Sequence, residues 1–512
     1  MKTNMLPVVG ISTSILLPFS VQAQKQQEKQ TDRPNVIIIL ADDVGYGDLS
    51  CNGEPTIHTP NVEKLANRGV RFTDAHAVAA TSTPSRYSLL TGHYSWRRND
   101  TGVAPGDAGM IIRPEQSTIA DIFQIAGYKT GAVGKWHLGL GDEAGTQDWN
   151  GYITPGLKDI GFDYSYIMAA TGDRVPCVYV ENQQVVNLDF DDPIAVSYRE
   201  PFPGEPLGKD HPEMLYVQRP SLNHGHDQAI VNGISRIGYM RGGKSALWVD
   251  ENIADSITTH AIEFIEQNKD NPFFLYFATN DIHVPRVPHP RFKGKSGMGP
   301  RGDAILEFDW SVGKIIETLE KYNLTENTLI ILTSDNGPVV DDGYQDQAVE
   351  LLGEHRPWGD FRGGKYSVFE AGTRIPLVVS WPLKTEKMTS DALVSHIDIY
   401  ASLAKLLSIS ISEGAAPDSR DYLSTFLGKE RKGREYVIEQ AGSMSVSDGT
   451  WKYIHPSKGR AYDPLTNIEL GNDEEVQLYN LKEDIGEKNN LADKYPQKVA
   501  SLKAILEEER SR

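Results

Sequence analysis

The chain has 512 residues, enough to bury a large core in more than one domain, and a formal net charge of -19. So acidic a surface repels polyanions and carries no Lys/Arg block for nucleic acid, so an anionic substrate needs a local positive pocket. Two cysteines, Cys51 and Cys177, are too few for a disulfide framework and read as structural, with at most one optional bridge.

Lys2 supplies a charge, Met5 to Phe19 is mostly apolar, and Val21-Gln22-Ala23 reads as a small-x-small cleavage site, so residues 1–23 are expected to be an export signal. Residues 24–33, rich in Gln, Lys and Glu, read as a solvated leader. No later segment offers the roughly 20 apolar residues of a membrane span. An exported protein, periplasmic or secreted, is expected.

Asn35 to Leu40 is a continuous β-branched run, the mark of a strand buried on both faces, and it ends in Asp42-Asp43. Thr59-Pro60 opens a helix closed by Gly69, and Val70 to Thr73 is a second strand. It leads to Thr81-Ser82-Thr83-Pro84-Ser85-Arg86, where Ser82 is expected near the N-cap of a helix that Pro84 helps start. Ser117 is expected to cap a helix over 118–126, and the strand from Tyr128 to Val133 ends at Gly134-Lys135-Trp136-His137. Residues 145–245 have weak periodicity and read as a long insertion carrying substrate-facing loops. A helix from about Glu251 to Asn268, a strand over 272–279 ending near His283, a helix over 304–322 and a strand over 328–333 ending in Asp335-Asn336 follow. Alternating strands and helices predict an α/β fold, a large doubly wound and mostly parallel sheet over 34–385. Residues 386–512 read as a linker and a smaller C-terminal α+β subdomain: a helix around Ile397 to Leu407, strand candidates at 436–439, 451–454 and 476–479, and a helix over 496–510.

In open α/β sheets ligands gather outside the carboxyl ends of the strands. Asp42, Asp43, Asp335 and Asn336 sit at two such ends and offer the hard oxygen atoms that Ca²⁺ or Mg²⁺ prefers. Ser82, at a helix start with Arg86 one turn along, reads as a hydroxyl in an anion site. In the insertion, Asp173 and one of His224 or His226 are expected to bind sugar hydroxyls, since a carboxylate and an imidazole together accept and donate hydrogen bonds.

Ser82-x-Pro84-Ser85-Arg86 followed by Thr91-Gly92 resembles the signature of the type I sulfatases, within the alkaline-phosphatase superfamily, and the resemblance runs from about Asn35 to the C-terminus. It implies that Ser82 is oxidised after synthesis to formylglycine by a radical maturation enzyme, and that Asp42, Asp43, Asp335, Asn336 and residue 82 hold a divalent ion, commonly calcium. Its hydrate would attack sulfur with one hydroxyl and expel sulfate with the other. By the same resemblance Lys135, His137 and Lys365 contact the sulfate, His283 stands near the leaving oxygen, and Glu370 with Arg374 holds the Lys365 loop. Asp309 reads as structural. The expected substrate is a sulfated glycan: the inserted loops resemble those of bacterial enzymes that act, exo fashion, on 6-sulfated galactose or N-acetylgalactosamine. A phosphomonoesterase or phosphonate hydrolase of the same superfamily is the alternative, as is a sulfated-glycan binder without turnover should Ser82 stay unmodified.

Overall fold

The first apolar run after the expected leader forms strand β1 (Asn35–Ala41), with all seven residues buried. Successive side chains of a strand point to opposite faces, so β1 must be covered on both. The computed structural model describes residue 1 and residues 33–53 and 56–512; apart from Met1 and Arg33, the expected signal and leader lie outside the described residues.

Strands β2 (Gly69–Phe72), β3 (Lys129–Lys135), β4 (Tyr164–Met168), β5 (Tyr179–Glu181), β6 (Gln184–Val185), β7 (Phe273–Ala278), β8 (Thr328–Ser334), β9 (Leu377–Ser380) and β10 (Met388–Ser390) complete a ten-stranded sheet in the order β10-β2-β9-β8-β1-β7-β3-β4-β5-β6. The central block from β8 to β4 is parallel, and antiparallel pairings are confined to the two flanks. Three of these strands, β4 to β6, come from the stretch read as a loop-rich insertion. They lie at one edge of the sheet, where a short strand needs less apolar periodicity than a central one.

The longer helices are α1 (Pro60–Ala66), α2 (Ser82–Thr91), α3 (Ile119–Ile125), α4 (Ile253–Asn268), α5 (Gly299–Lys321), α6 (Ile399–Leu406) and α7 (Pro496–Ser511). Two caps differ from expectation. Helix α2 starts at Ser82 itself with Thr81 as N-cap. Helix α3 is capped by Thr118, whose hydroxyl accepts from Asp121 N–H (3.3 Å) while the Asp121 carboxylate accepts from Thr118 N–H (2.8 Å); Ser117 pairs with the Tyr400 hydroxyl instead. Asp309 on α5 accepts hydrogen bonds from Asn61 and Val62 N–H (3.0 and 2.9 Å), satisfying the open start of α1 from a neighbouring helix.

Strands β11 (Val437–Gln440), β12 (Met444–Ser447), β13 (Trp451–Ile454) and β14 (Gln477–Asn480) form a four-stranded antiparallel sheet in sequence order. Leu502 and Leu506 of α7 pack on it with Val446, Tyr453 and Leu478. A buried charge network joins the two sheets. His76 bonds Glu439 (2.6 Å) and Asp74 (2.8 Å), Lys452 bonds Glu370 (2.9 Å) and Glu439 (3.2 Å), and Arg374 bonds both Glu370 and Asp74 at 2.7 Å. It clamps the segment leading into Ser82 and the segment leaving Lys365 against the C-terminal sheet. Cys51 and Cys177 are both free thiols.

Candidate active site

Register alone brings most of the site together. Ala41 pairs with Ser334, Leu40 with Ala278, Ala278 with Gly134, and Lys135 with Met168. The parallel strands therefore deliver Asp42, Asp335, Lys135 and, a few residues beyond their strand ends, His283 and Asp173 to one edge of the sheet. Helix α2 comes to the same edge from the side.

The residues around Ser82 each hold something. Thr83 donates to the His137 carbonyl (3.1 Å) and accepts from Ala104 N–H, Ser85 donates to Ala79 O (2.7 Å), and Gly92 ends the helix at a φ of 67°. A Cβ on Gly92 would meet Ala416 at 2.5 Å, so both its backbone angle and its neighbour require glycine. The Ser82 hydroxyl lies 3.0 Å from Lys135 Nζ, 3.4 Å from Asn336 Oδ1 and 3.5 Å from Asp42 Oδ1.

Arg86 does not reach the cavity. Its guanidinium is wholly buried, bonding Asp335 Oδ2 (2.8 and 3.0 Å) and the Lys135 carbonyl (3.2 Å). It positions Asp335 and the end of β3, which corrects the expectation of a cation facing the substrate.

Lys135 Nζ sits between both oxygens of Asp42 (2.6 and 2.7 Å), and Lys365 Nζ bridges Asp43 and Asp342, both at 2.8 Å. Asn336 donates to Asp43 Oδ1 (2.8 Å). Burial, with Asp335 and Asp43 adding repulsion, raises the Asp42 carboxyl well above its usual range, and Lys135 only partly opposes this. Burial likewise lowers Lys135. Lys365 goes the other way: Asp342 and Asp43 outweigh its burial and raise it.

The four carboxylates Asp42, Asp43, Asp335 and Asp342 thus exceed the three cations Lys135, Lys365 and Arg86. One ligand atom each from Asp42, Asp43 and His283 falls within 4.8 Å of the others. Surplus negative charge on hard oxygens in so small a space fits a divalent ion such as calcium.

His137 Nε2 faces the Ala104 carbonyl (2.9 Å), leaving its buried Nδ1 without a partner. Its burial, then the charges of Lys135 and Arg174, keep the ring neutral. His283 Nδ1 faces the Val284 carbonyl (2.7 Å), so the ring is oriented with Nε2 toward the site, 3.9 Å from Asp43. Burial, Lys365 and Lys135 lower its pKa in turn.

Ser82, His137, His283 and Lys365 open into one cavity of about 270 Å³, walled also by Asp173, Arg174, His224, His226, Asp342, Tyr366, Asp463, Leu465 and Thr466. Asp173 is bound by His226 (3.0 Å), Arg174 (2.8 Å) and the Thr171 hydroxyl; against burial, Arg174, then His283 and His226, hold it well below the usual carboxylate range. His224 instead bonds the Leu465 carbonyl (3.0 Å), tying the insertion to the C-terminal subdomain beside the cavity.

Asp342, Arg174, Tyr366 and the 463–466 turn escape sequence reading. Asp342 had a signal: Val339-Val340-Asp341-Asp342 repeats the apolar-then-two-acids pattern of Leu40 to Asp43.

Residues 34–409 match the sulfatase family. The chain is 52% identical over 513 residues to an N-acetylgalactosamine-6-O-sulfatase of Bacteroides thetaiotaomicron, covering 100% of this chain and 99% of that protein. It is 30% identical over 500 residues to human arylsulfatase A, covering 92% of this chain and 87% of that protein. A solved structure from work on the metabolism of multiple glycosaminoglycans by Bacteroides thetaiotaomicron superposes with a TM-score of 0.92 at 54% identity, covering 94% of this chain and 100% of the other. With Ser82, the cluster of carboxylates and the two lysines already assembled at one edge of the sheet, these matches establish that the chain belongs to the sulfatase family, the hydrolases of sulfuric esters.

Proposed function

We propose that this sulfatase removes the 6-O-sulfate of N-acetylgalactosamine or galactose at a glycan end, after export and after oxidation of Ser82 to formylglycine. The observation that carries the reading is the shared cavity: residue 82 and the Asp173–His226 pair line the same 270 Å³ space, one end suited to a sulfate and the other to sugar hydroxyls. The 52% identity to an N-acetylgalactosamine-6-O-sulfatase over the whole chain supports the substrate class.

Asp42, Asp43, Asp335 and Asn336, with residue 82, would hold calcium or magnesium. Such an ion supplies positive charge where the sulfuryl oxygens gather, and formylglycine supplies the nucleophile.

The chain's own groups do the rest. Lys135 and Lys365 flank the carboxylates and can turn their ammonium protons to sulfate oxygens once an ion takes over Asp42 and Asp43. His137 Nδ1, an unpaired acceptor, can take a proton from the residue-82 side. His283 is held to protonate the leaving oxygen: burial, then Lys365 and Lys135, lower its pKa, and an arriving anion offsets the lysine part. Arg86 keeps Asp335 in place from behind.

Ser82 is 3% exposed, so a radical maturation enzyme would have to act before the chain closes over it.

Sulfate release from N-acetylgalactosamine 6-sulfate and from the 4-sulfate tests the assignment. The expected result is turnover of the 6-sulfate alone, with Asp173→Ala lowering kcat/KM by roughly 10- to 100-fold, the value of a hydrogen bond to a charged group. Equal turnover of both esters, or no loss in Asp173→Ala together with His226→Ala, would contradict it.

A further inference from the structure

Beside the catalytic cavity, and sharing Thr466 with it, lies a second cavity of about 360 Å³. Its lining mixes apolar side chains, Val339, Val340, Val349, Leu352, Trp358 and Ile468, with polar ones, Arg362, Thr466, Asn467 and Glu469. Arg362, Phe361 and Glu469 also line a third, open cavity of about 460 Å³ that reaches Lys488 and Arg356. Sharing lining residues in turn, the three adjoin in series as a trough along the segment 463–469.

The walls are firmly placed. Gly47 N–H bonds the carbonyl of Pro357 (2.8 Å) and His355 bonds Asp48 (2.8 Å), so the loop carrying Trp358 hangs from the segment that follows Asp42 and Asp43. Arg362 holds Glu469 through both oxygens (2.6 and 3.0 Å) and lies 4.0 Å over the Phe369 ring.

We propose that this trough is a binding site for the sugar units attached to the sulfated one, with the first stacked in the cavity that Trp358 lines. A sugar ring has an apolar C–H face and a hydroxylated edge, which matches a lining that offers an aromatic ring and aliphatic side chains together with a guanidinium, an amide, a hydroxyl and a carboxylate. Continuity with the catalytic cavity through Thr466 selects the same glycan as the occupant, rather than a separate ligand or protein. The inference rests on the glycan-sulfatase reading and extends it from the sulfated sugar to its neighbours.

Kinetics on matured enzyme test it, with N-acetylgalactosamine 6-sulfate and a chondroitin 6-sulfate trisaccharide ending in that sugar as the two substrates. Wild-type enzyme is expected to show higher kcat/KM on the trisaccharide, the gain lying in KM. Trp358→Ala is expected to lower the trisaccharide-to-monosaccharide ratio by about three- to tenfold, the scale of one aromatic contact. Val349→Glu, at a position 54% exposed and so tolerant of change, is expected to lower it in the same direction. Equal kcat/KM on the two substrates in wild type, or a ratio unmoved by both substitutions, would overturn the trough. Absence of sulfate release from either substrate by enzyme with oxidised residue 82 would overturn the underlying glycan-sulfatase reading, and the trough with it.

Discussion

Asp43, His137 and Tyr366 all have left-handed backbones, with φ of 61°, 57° and 73°. Each such non-glycine residue costs about 1–2 kcal/mol, and all three lie at the candidate active site, where strain is tolerated if it aims a side chain. His283 is aimed differently, by its bond to the Val284 carbonyl. His283→Gln keeps a polar side chain but cannot protonate the leaving oxygen, so kcat is expected to fall by about 10²- to 10⁴-fold with little change in KM. Single-turnover kinetics on an activated aryl sulfate is the check. A good leaving group needs no proton, so a loss as large as with a sugar sulfate would contradict the role. At this scale the sequence was legible where a residue closes a buried strand: Asp42, Asp335 and Lys135 stand directly after apolar runs whose register can be anticipated. Asp342, Arg174 and Thr466 sit on irregular chain, where no periodicity reports which way a side chain turns. Arg86 was misplaced for a related reason: its helix position shows a charge near Ser82 but not which side of the helix meets Asp335.

Among the elements, the junction between the two sheets carries the clearest pH dependence. Burial alone would lower His76, yet Glu439 and Asp74 raise it to about 9, and burial raises Glu487 to about 8 despite Lys452. Both groups therefore hold protons in the folded chain that the unfolded chain releases at lower pH. For His76 the stabilisation is fully present below the unfolded value near 6.5 and disappears as pH rises through about 9. Its size is about 3 kcal/mol, one pKa unit being about 1.4 kcal/mol. Urea melts from pH 6.5 to 9.5 should thus show stability falling with pH, and His76→Gln, though less stable throughout, should show a shallower fall. Identical slopes would contradict a protonated His76. The fold itself was readable because the central strands are uniformly apolar and spaced by amphipathic helices. The strands β4 to β6 toward one edge and the C-terminal strand β12, rich in Ser, were missed, since short strands toward a sheet margin owe their conformation to their neighbours more than to their own pattern.

For the whole molecule, the excess of carboxylates at the sheet edge links ion binding to stability. A ligand that binds only the folded state at a hundred times its Kd adds about 2.7 kcal/mol. Chelation should therefore lower Tm by a few degrees and calcium should restore it, whereas Asp42→Asn with Asp43→Asn should make Tm indifferent to both. A Tm unaffected by chelator in the parent protein would argue against the cage. The central claim is that residue 82 becomes the nucleophile of sulfate ester hydrolysis, and one paired measurement tests it most directly. Protein from a host with the maturation enzyme is divided by intact-peptide mass analysis of the segment containing Ser82, and each fraction is assayed for sulfate and phosphate release from the corresponding 6-esters. The expected result is sulfate release in proportion to the fraction in which Ser82 has lost the mass of two hydrogens, and none from Ser82→Ala. Full activity with Ser82 intact, or release of phosphate in place of sulfate, would contradict it.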